Sequence, residues 1–346
     1  MRLEQLTFTR FLAAISIVIY HFGEKIFPFN LDSTSFLFKQ ANIGVSYFFI
    51  LSGFVMIIAY SKKGNINFID YIRKRFARLY PVYALAILLL FLLKLLIPSS
   101  SIDYQGLLLN LTLLQSWIPA KALSFNYPGW SLSVEMFFYI TFPFLFNHIY
   151  QKISFKKILF GVLTIFIASQ LLFHYLLDAP FFEKAPSIPY NFSHYFPLMH
   201  INQFLIGNIA GIIFINSNFK NKNYDIAILL LIGIITFLLK EKFDVSYHNG
   251  LLALLFIPLI FTISLNTGVL AKISNLKPLV FLGEISYSIY ILQVPIFIFG
   301  SAIMNKLHFD DKALIFWSNL ILLIITSGLS YKYLEIPLRQ KINNWK

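Results

Sequence analysis

Apolar runs of 15–25 residues follow one another along this chain with only short polar segments between them, and they cannot be folded into a water-soluble core. They lie near 8–29, 41–60, 80–97, 128–149, 158–177, 195–216, 225–239, 249–268, 280–303 and 313–334. Crossing a hydrocarbon layer takes about 20 residues of helix. Inside that layer each backbone N–H and C=O has to find its partner within the segment, which a helix provides. The pattern therefore predicts an all-α integral membrane protein with about ten transmembrane helices. Charge agrees: 12% of the 346 residues are charged and 58% are hydrophobic, against about 25% and 45–50% in ordinary soluble domains. A soluble enzyme, a disordered chain and a single-pass receptor are excluded. The chain has no cysteine, so disulfides, Cys-bound zinc, iron–sulfur clusters and a thiol nucleophile are excluded too.

The net charge of +13 is a statement about topology. Nineteen of the 28 Lys and Arg fall in the N-terminal segment and in alternate segments at 61–79, 150–157, 217–224, 269–279 and 332–346. By the positive-inside rule those segments are cytoplasmic, which puts both termini in the cytoplasm and expects no nucleic-acid partner. Arg2 and Arg10 ahead of an apolar run also resemble a signal peptide, but no small-x-small site comes after it, so the run reads as an anchor. No repeat or long linker interrupts the pattern, and residues 1–346 read as a single membrane domain. The longest gap, 98–127, contains LLLNLTLLQSW. That stretch is too short to span and reads as interfacial or re-entrant.

Polar side chains within the runs are the functional candidates, because each must be compensated there. In TRFLAAISIVIYHF, Arg10 and His21 are 11 residues apart, on one α-helical face and roughly 16 Å apart in depth. A headgroup arginine plus a core histidine fits, as does an anion site leading to a reacting base. Arg75 and Arg78 share a helix face just before Pro81. Their guanidinium forks suit phosphate, either of a ligand or of lipid headgroups. Ser131, Glu135 and Tyr139 form a stripe beginning beside Trp130, and Gly283, Ser286, Tyr290 and Gln293 form another. Such stripes also join helices without any chemistry. Glu335 and Pro337 close the last run. Metal ligation is not expected at any of them.

Together these segments resemble the acyltransferase-3 family of polytopic bacterial membrane proteins. The resemblance is carried by Arg10 with His21, GVSYFFILSGFVM (44–56), Arg75-x-x-Arg78 before Tyr80-Pro81, Trp130-Ser131-Leu132 with Glu135, FLGEISYSIYIL (281–292), and Glu335-x-Pro337. It implies a multi-pass enzyme of the bacterial inner membrane. Such an enzyme transfers an acyl group, usually acetyl from acetyl-CoA, to a hydroxyl of a cell-envelope saccharide outside. Under it, His21 is the expected base, with Glu135 orienting it or binding the sugar, and an acyl-histidine intermediate is the alternative route. Arg10, Arg75 and Arg78 are expected to hold the donor's phosphates. Trp130, Ser131, Tyr139, Ser286, Tyr290 and Gln293 are expected along the acceptor. Acceptors as different as O-antigen, capsule, exopolysaccharide, peptidoglycan and a lipid-linked sugar fit. Three positions depart from the family pattern: Gln293 stands where relatives often carry His, and His200 and Gln203 stand where Arg and Glu are expected. No appended hydrolase-like segment is expected within these residues. A transporter or flippase of a lipid-linked sugar is the competing class, although the internal symmetry expected of one is missing.

Overall fold

The structure, a computed structural model, describes residues 4–96, 101–241 and 243–344. Ten principal helices match the apolar runs: Glu4–Gly23 (α1), Ile43–Tyr60 (α2), Phe68–Leu96 (α3), Tyr127–Tyr150 (α4), Phe155–Leu177 (α5), Pro197–Asn216 (α6), Asp225–Lys240 (α7), Ala253–Leu265 (α8), Ser286–Lys306 (α9) and Lys312–Asn343 (α10). Among the described residues no strand is present, and the one β-bridge joins Lys222 to Asn266. Eight of these helices are long and apolar enough to cross a membrane, which makes this a multi-pass membrane protein. The other two, α7 with 16 residues and α8 with 13, fall short of the span length of about 20.

Three of the helices contain a π-turn: Ile19–Gly23 in α1, Leu145–Tyr150 in α4 and Tyr331–Glu335 in α10. Such turns are rare and concentrate at functional positions. Here one contains His21 and another ends at Glu335. The first apolar run was expected to continue to residue 29, but its helix stops at Gly23, ahead of the charged pair Glu24 and Lys25 and of Pro28. In the gap after α3, residues 97–100 lie outside those described. The remainder of that gap holds only short elements: a helix over Tyr104–Leu111 and single turns at Gln115–Trp117 and Pro119–Lys121. Asp103 caps the short helix through the Gly106 N–H and pairs with Lys121 at 2.8 Å. The Lys121 hydrogen bond, helped by the Gly106 N–H, holds the Asp103 carboxyl below the usual range. Gln115 donates to the Gly129 carbonyl and Ser116 to that of Trp130, so the segment is pinned to the start of α4 and does not span.

The helices bury their side chains in two apolar clusters. One joins α1, α3, α4, α9 and α10, and the other gathers α5 to α8 around α2. Lipid is as apolar as leucine, so helix contact depends on close fit, and small residues permit it. Gly53 of α2 and Gly207 and Gly211 of α6 let the two backbones meet. A Cβ at Gly207 would lie 2.2 Å from the Ile50 carbonyl oxygen, and one at Gly53 2.3 Å from that of Phe204. This packing holds α2, and with it Ser52 and Phe49, against the rest of the bundle.

Gly207→Leu is expected to force α2 and α6 apart at about 1–3 kcal/mol or more, seen as a lower thermal midpoint in detergent. Gly233→Ala, where a Cβ meets nothing within 4 Å, is expected to leave the midpoint unchanged. Equal midpoints for both variants would refute the close-contact account.

Candidate active site

A cavity of about 320 Å³ opens between α1, α2, α3, α4, α9 and α10. Arg10 enters it from α1 and Arg75 and Arg78 from α3. Ser131, Glu135 and Tyr139 come from α4, Ser286 and Tyr290 from α9, and Glu335 from α10. Polar clusters singled out in the sequence, far apart along the chain, thus meet in one place. Thr7, Ser52, Glu284, Tyr287, Tyr331 and Arg339 also line it. Sequence reading missed these, although Arg339 sits two residues past the Glu335-x-Pro337 motif.

The charges in this cavity are unevenly satisfied. Arg75 is fixed in an aromatic cage, its guanidinium 5.5, 5.3 and 5.6 Å from the ring centres of Tyr60, Tyr71 and Tyr139. It donates to the Tyr60 hydroxyl at 3.3 Å, while its buried Nε has no partner. Arg73, two residues earlier, turns outward and pairs with Asp70 at 2.9 Å, as a surface residue does. The carboxylates of Glu135 and Glu335 are engaged by hydroxyls rather than by arginines. Glu135 accepts from Tyr139 and, at 3.5 Å, from Ser52. Glu335 accepts from Ser288 at 2.5 Å and Ser330 at 3.5 Å. Among the described residues, Arg10, Arg78 and Arg339 make no hydrogen bond or ion pair with a side chain or carbonyl. Three half-buried guanidiniums face one cavity with their hydrogen-bonding forks free, Glu135 acting on Arg10 and Glu335 on Arg78 and Arg339 only at a distance, and so form a site for an anion with several oxygens.

The cavity ends outward at Ser131 and Tyr290, which lie 3.0 Å apart and both donate to the Pro128 carbonyl. Beyond them sits His21, outside the cavity. Its Nδ1 is 2.7 Å from Gln293 Oε1, and its ring meets that of Tyr127 edge-on at 4.8 Å. The expected pairing of His21 with Glu135 is therefore not formed. Glu135 is held on the cavity side by Tyr139, and the amide of Gln293 takes the place beside the histidine. Arg10 lines the cavity between α4 and α9, and His21 meets Tyr127 of α4 and Gln293 of α9 from the π-turn over Ile19–Gly23. Of the residues expected along the acceptor, Ser131, Tyr139, Ser286 and Tyr290 line the cavity, and Gln293 and Trp130 lie outside it. Trp130 is buried among Tyr195, His200 and Phe49.

His200 and Gln203, the other departures from the family pattern, belong to a buried polar knot under the outer segments. His200 and His248 both donate from Nε2 to the His194 carbonyl, at 2.9 and 2.8 Å. Gln203 donates to His200 Nδ1 at 2.9 Å, and Asn42 Nδ2 lies 3.3 Å from His248 Nδ1. Burial, reinforced by neighbouring His248, pushes His194 down to about 3, and burial lowers His248 as well. Both ring nitrogens of His200 are engaged in this way, and His194 Nδ1 meets the Tyr190 carbonyl and the Ser193 hydroxyl. Among the described residues no group of three or more His, Asp or Glu is arranged to hold a metal ion.

Comparison with known proteins places the chain among acyltransferases. A family model described as an acyltransferase domain matches residues 3–331. The chain is 27% identical over 329 residues to Acyltransferase MdmB of Streptomyces mycarofaciens, covering 88% of this chain and 81% of that protein. It is 24% identical over 362 residues to O-acetyltransferase OatA of Staphylococcus aureus, covering 96% of this chain. The chain spans 56% of that second relative's length. No solved structure matches it.

An unpartnered charge adds nothing to the fold, whereas a caged one does. Arg10→Met and Arg78→Met are thus expected to leave the thermal midpoint of the ligand-free protein unchanged or raised. Arg75→Met should lower it, on the order of 1–3 kcal/mol for the lost ring contacts and hydrogen bond. Scanning calorimetry in detergent separates the two classes, and equal losses at all three positions would contradict the assignment.

Proposed function

The chain belongs to the acyltransferase-3 family, and on that premise we propose that it carries an acetyl group from cytoplasmic acetyl-CoA to a hydroxyl of a saccharide across a bacterial inner membrane. The coarser statement stands without proposal: this is an acyltransferase enzyme of the multi-pass membrane class. Family membership also decides against the transporter reading. The observation that carries the finer proposal is the set of guanidiniums with free hydrogen-bonding forks, Arg10, Arg78 and Arg339, one polar layer away from His21. Acetyl-CoA is a long anionic thioester. Its phosphates match the guanidinium forks, and its thin pantetheine arm suits a cavity of about 320 Å³. The same cavity is too small for the nucleotide as well, which belongs at the cytoplasmic mouth.

In this reading His21 works at the outer end of the arm. Neutral imidazole takes the proton of the acceptor hydroxyl as that oxygen bonds to the acyl carbon. The carbon–sulfur bond then breaks, and the imidazolium returns its proton to the departing sulfur. Nothing is left on the enzyme, and atoms and charge balance. Glu135, tied to Tyr139, serves the donor side of the cavity rather than the base. Trp130 shapes the outer wall from behind, and Ser131 and Tyr290 form the boundary through which the thioester passes. Both termini lie in the cytoplasm, and residues 1–346 act as one acyltransferase domain.

Two outcomes test the proposal. His21→Ala should lower transfer about 10²–10⁴-fold while the purified protein still binds acetyl-CoA. Retention of more than about a tenth of the activity excludes the base role. In sealed vesicles of known orientation, label supplied as acetyl-CoA on the cytoplasmic face should appear on acceptor enclosed on the other face. A requirement for both substrates on the cytoplasmic face would overturn transfer across the bilayer and leave the enzyme class intact.

A further inference from the structure

The amide of Gln293 has one orientation that satisfies its surroundings. Gln293 is fully buried on α9, and the Tyr290 carbonyl 2.6 Å away can only accept, so the amide nitrogen faces it. The amide oxygen is then the atom that lies 2.7 Å from His21 Nδ1. An amide oxygen cannot donate, so Nδ1 carries the hydrogen. In neutral imidazole the lone pair is then on Nε2, and Nε2 has no hydrogen-bond partner among the described residues. Tyr127, edge-on at 4.8 Å, limits rotation of the ring about this bond.

We propose that Gln293 is a positioning residue that holds His21 in the Nδ1–H tautomer and thereby aims Nε2 at the acceptor hydroxyl. The inference rests on the base reading of His21. It gives Gln293 the task that a carboxylate performs in Ser-His-Asp sites, with one difference: the amide is neutral. It selects a tautomer and an angle without strongly stabilising the imidazolium, so the proton taken from the acceptor is readily passed on to the sulfur. A ring left in the other tautomer would present N–H instead of a lone pair to the hydroxyl. In serine proteases that error costs about 10⁴ in kcat.

The direct test is ¹⁵N NMR of histidine-labelled protein in detergent at alkaline pH, with the His21 signals assigned by their loss in His21→Ala. The wild type should show protonated Nδ1 and unprotonated Nε2 at this residue, and the reverse pattern overturns the proposal. Gln293→Met keeps the size and removes the acceptor. It should scramble the tautomer and lower kcat about 10²-fold or more, with the acetyl-CoA dissociation constant unchanged. Gln293→Glu restores an oxygen acceptor and should recover kcat to within about tenfold of wild type. A Gln293→Met enzyme within about threefold of wild-type kcat, or one that loses donor binding in proportion, refutes the positioning role. Should that variant fail to fold, the wild-type spectrum and the Gln293→Glu rate still decide. If His21→Ala keeps its activity, the base reading itself has failed. If His21→Ala is inactive and Gln293→Met is not, only the role of Gln293 has failed.

Discussion

Three guanidiniums that face one cavity, none of them hydrogen-bonded to a carboxylate, repel one another and must be held in place by the packing around them. Arg10, Arg78 and Arg339 are held in that state together, around one cavity, while the nearby carboxylates Glu135 and Glu335 are engaged by tyrosine and serine hydroxyls. Glu135 acts on Arg10, and Glu335 on Arg78 and Arg339, only at a distance, so the positive charge is partly offset while the guanidinium forks stay free for a ligand. Helix contacts built on glycine, as between α2 and α6, and the aromatic cage around Arg75 supply rigidity that the charged cavity does not.

Rigidity on this scale matters for the chemistry proposed. A thioester arriving from the cytoplasmic side and a hydroxyl arriving from the outer side must meet within hydrogen-bond reach of one nitrogen. The structure separates the two approaches by a thin layer, Ser131, Tyr290 and the Pro128 carbonyl, with His21 and Gln293 immediately beyond it. Tyr290 and Gln293 are one turn apart on α9, and the Gln293 amide bonds to the Tyr290 carbonyl. The boundary of the donor cavity and the support of the base are therefore parts of one helical turn. The histidines at 194, 200 and 248 play no part in this. The ring nitrogens of His200 and His248 and the backbone carbonyl of His194 are spent on holding the outer segments together.

Much of this was legible in the residues, for reasons that can be stated. A membrane leaves only helices available, so the apolar runs marked nearly every element. The cost of a buried polar group made Arg10, Arg75, Arg78, Glu135 and Tyr290 stand out, and all of them line the cavity. Other readings were displaced by local geometry. The run at 249–268 holds a helix of only 13 residues, because hydropathy does not mark where a helix stops, whereas the run at 225–239 matches its helix to within a residue. Glu135 was expected to orient His21 or to bind the sugar. Its bond to Tyr139, one turn along the same helix, is a local preference that outweighs a partner across the bundle.

The sequence by itself determined the helical class, the membrane environment, the family and the short set of polar residues worth attention. Each of these comes from composition, periodicity or ordered motifs that survive without knowing which helix touches which. Pairing is a matter of contacts across the bundle: that three arginines make no direct ion pair, that Glu135 and Glu335 are tied to hydroxyls, and that His21 answers to an amide on α9. Those facts depend on contacts between residues as far apart as 21 and 293. Such contacts are set by how glycine-bearing faces and π-turns bring helices into register, and no spacing along one chain records them.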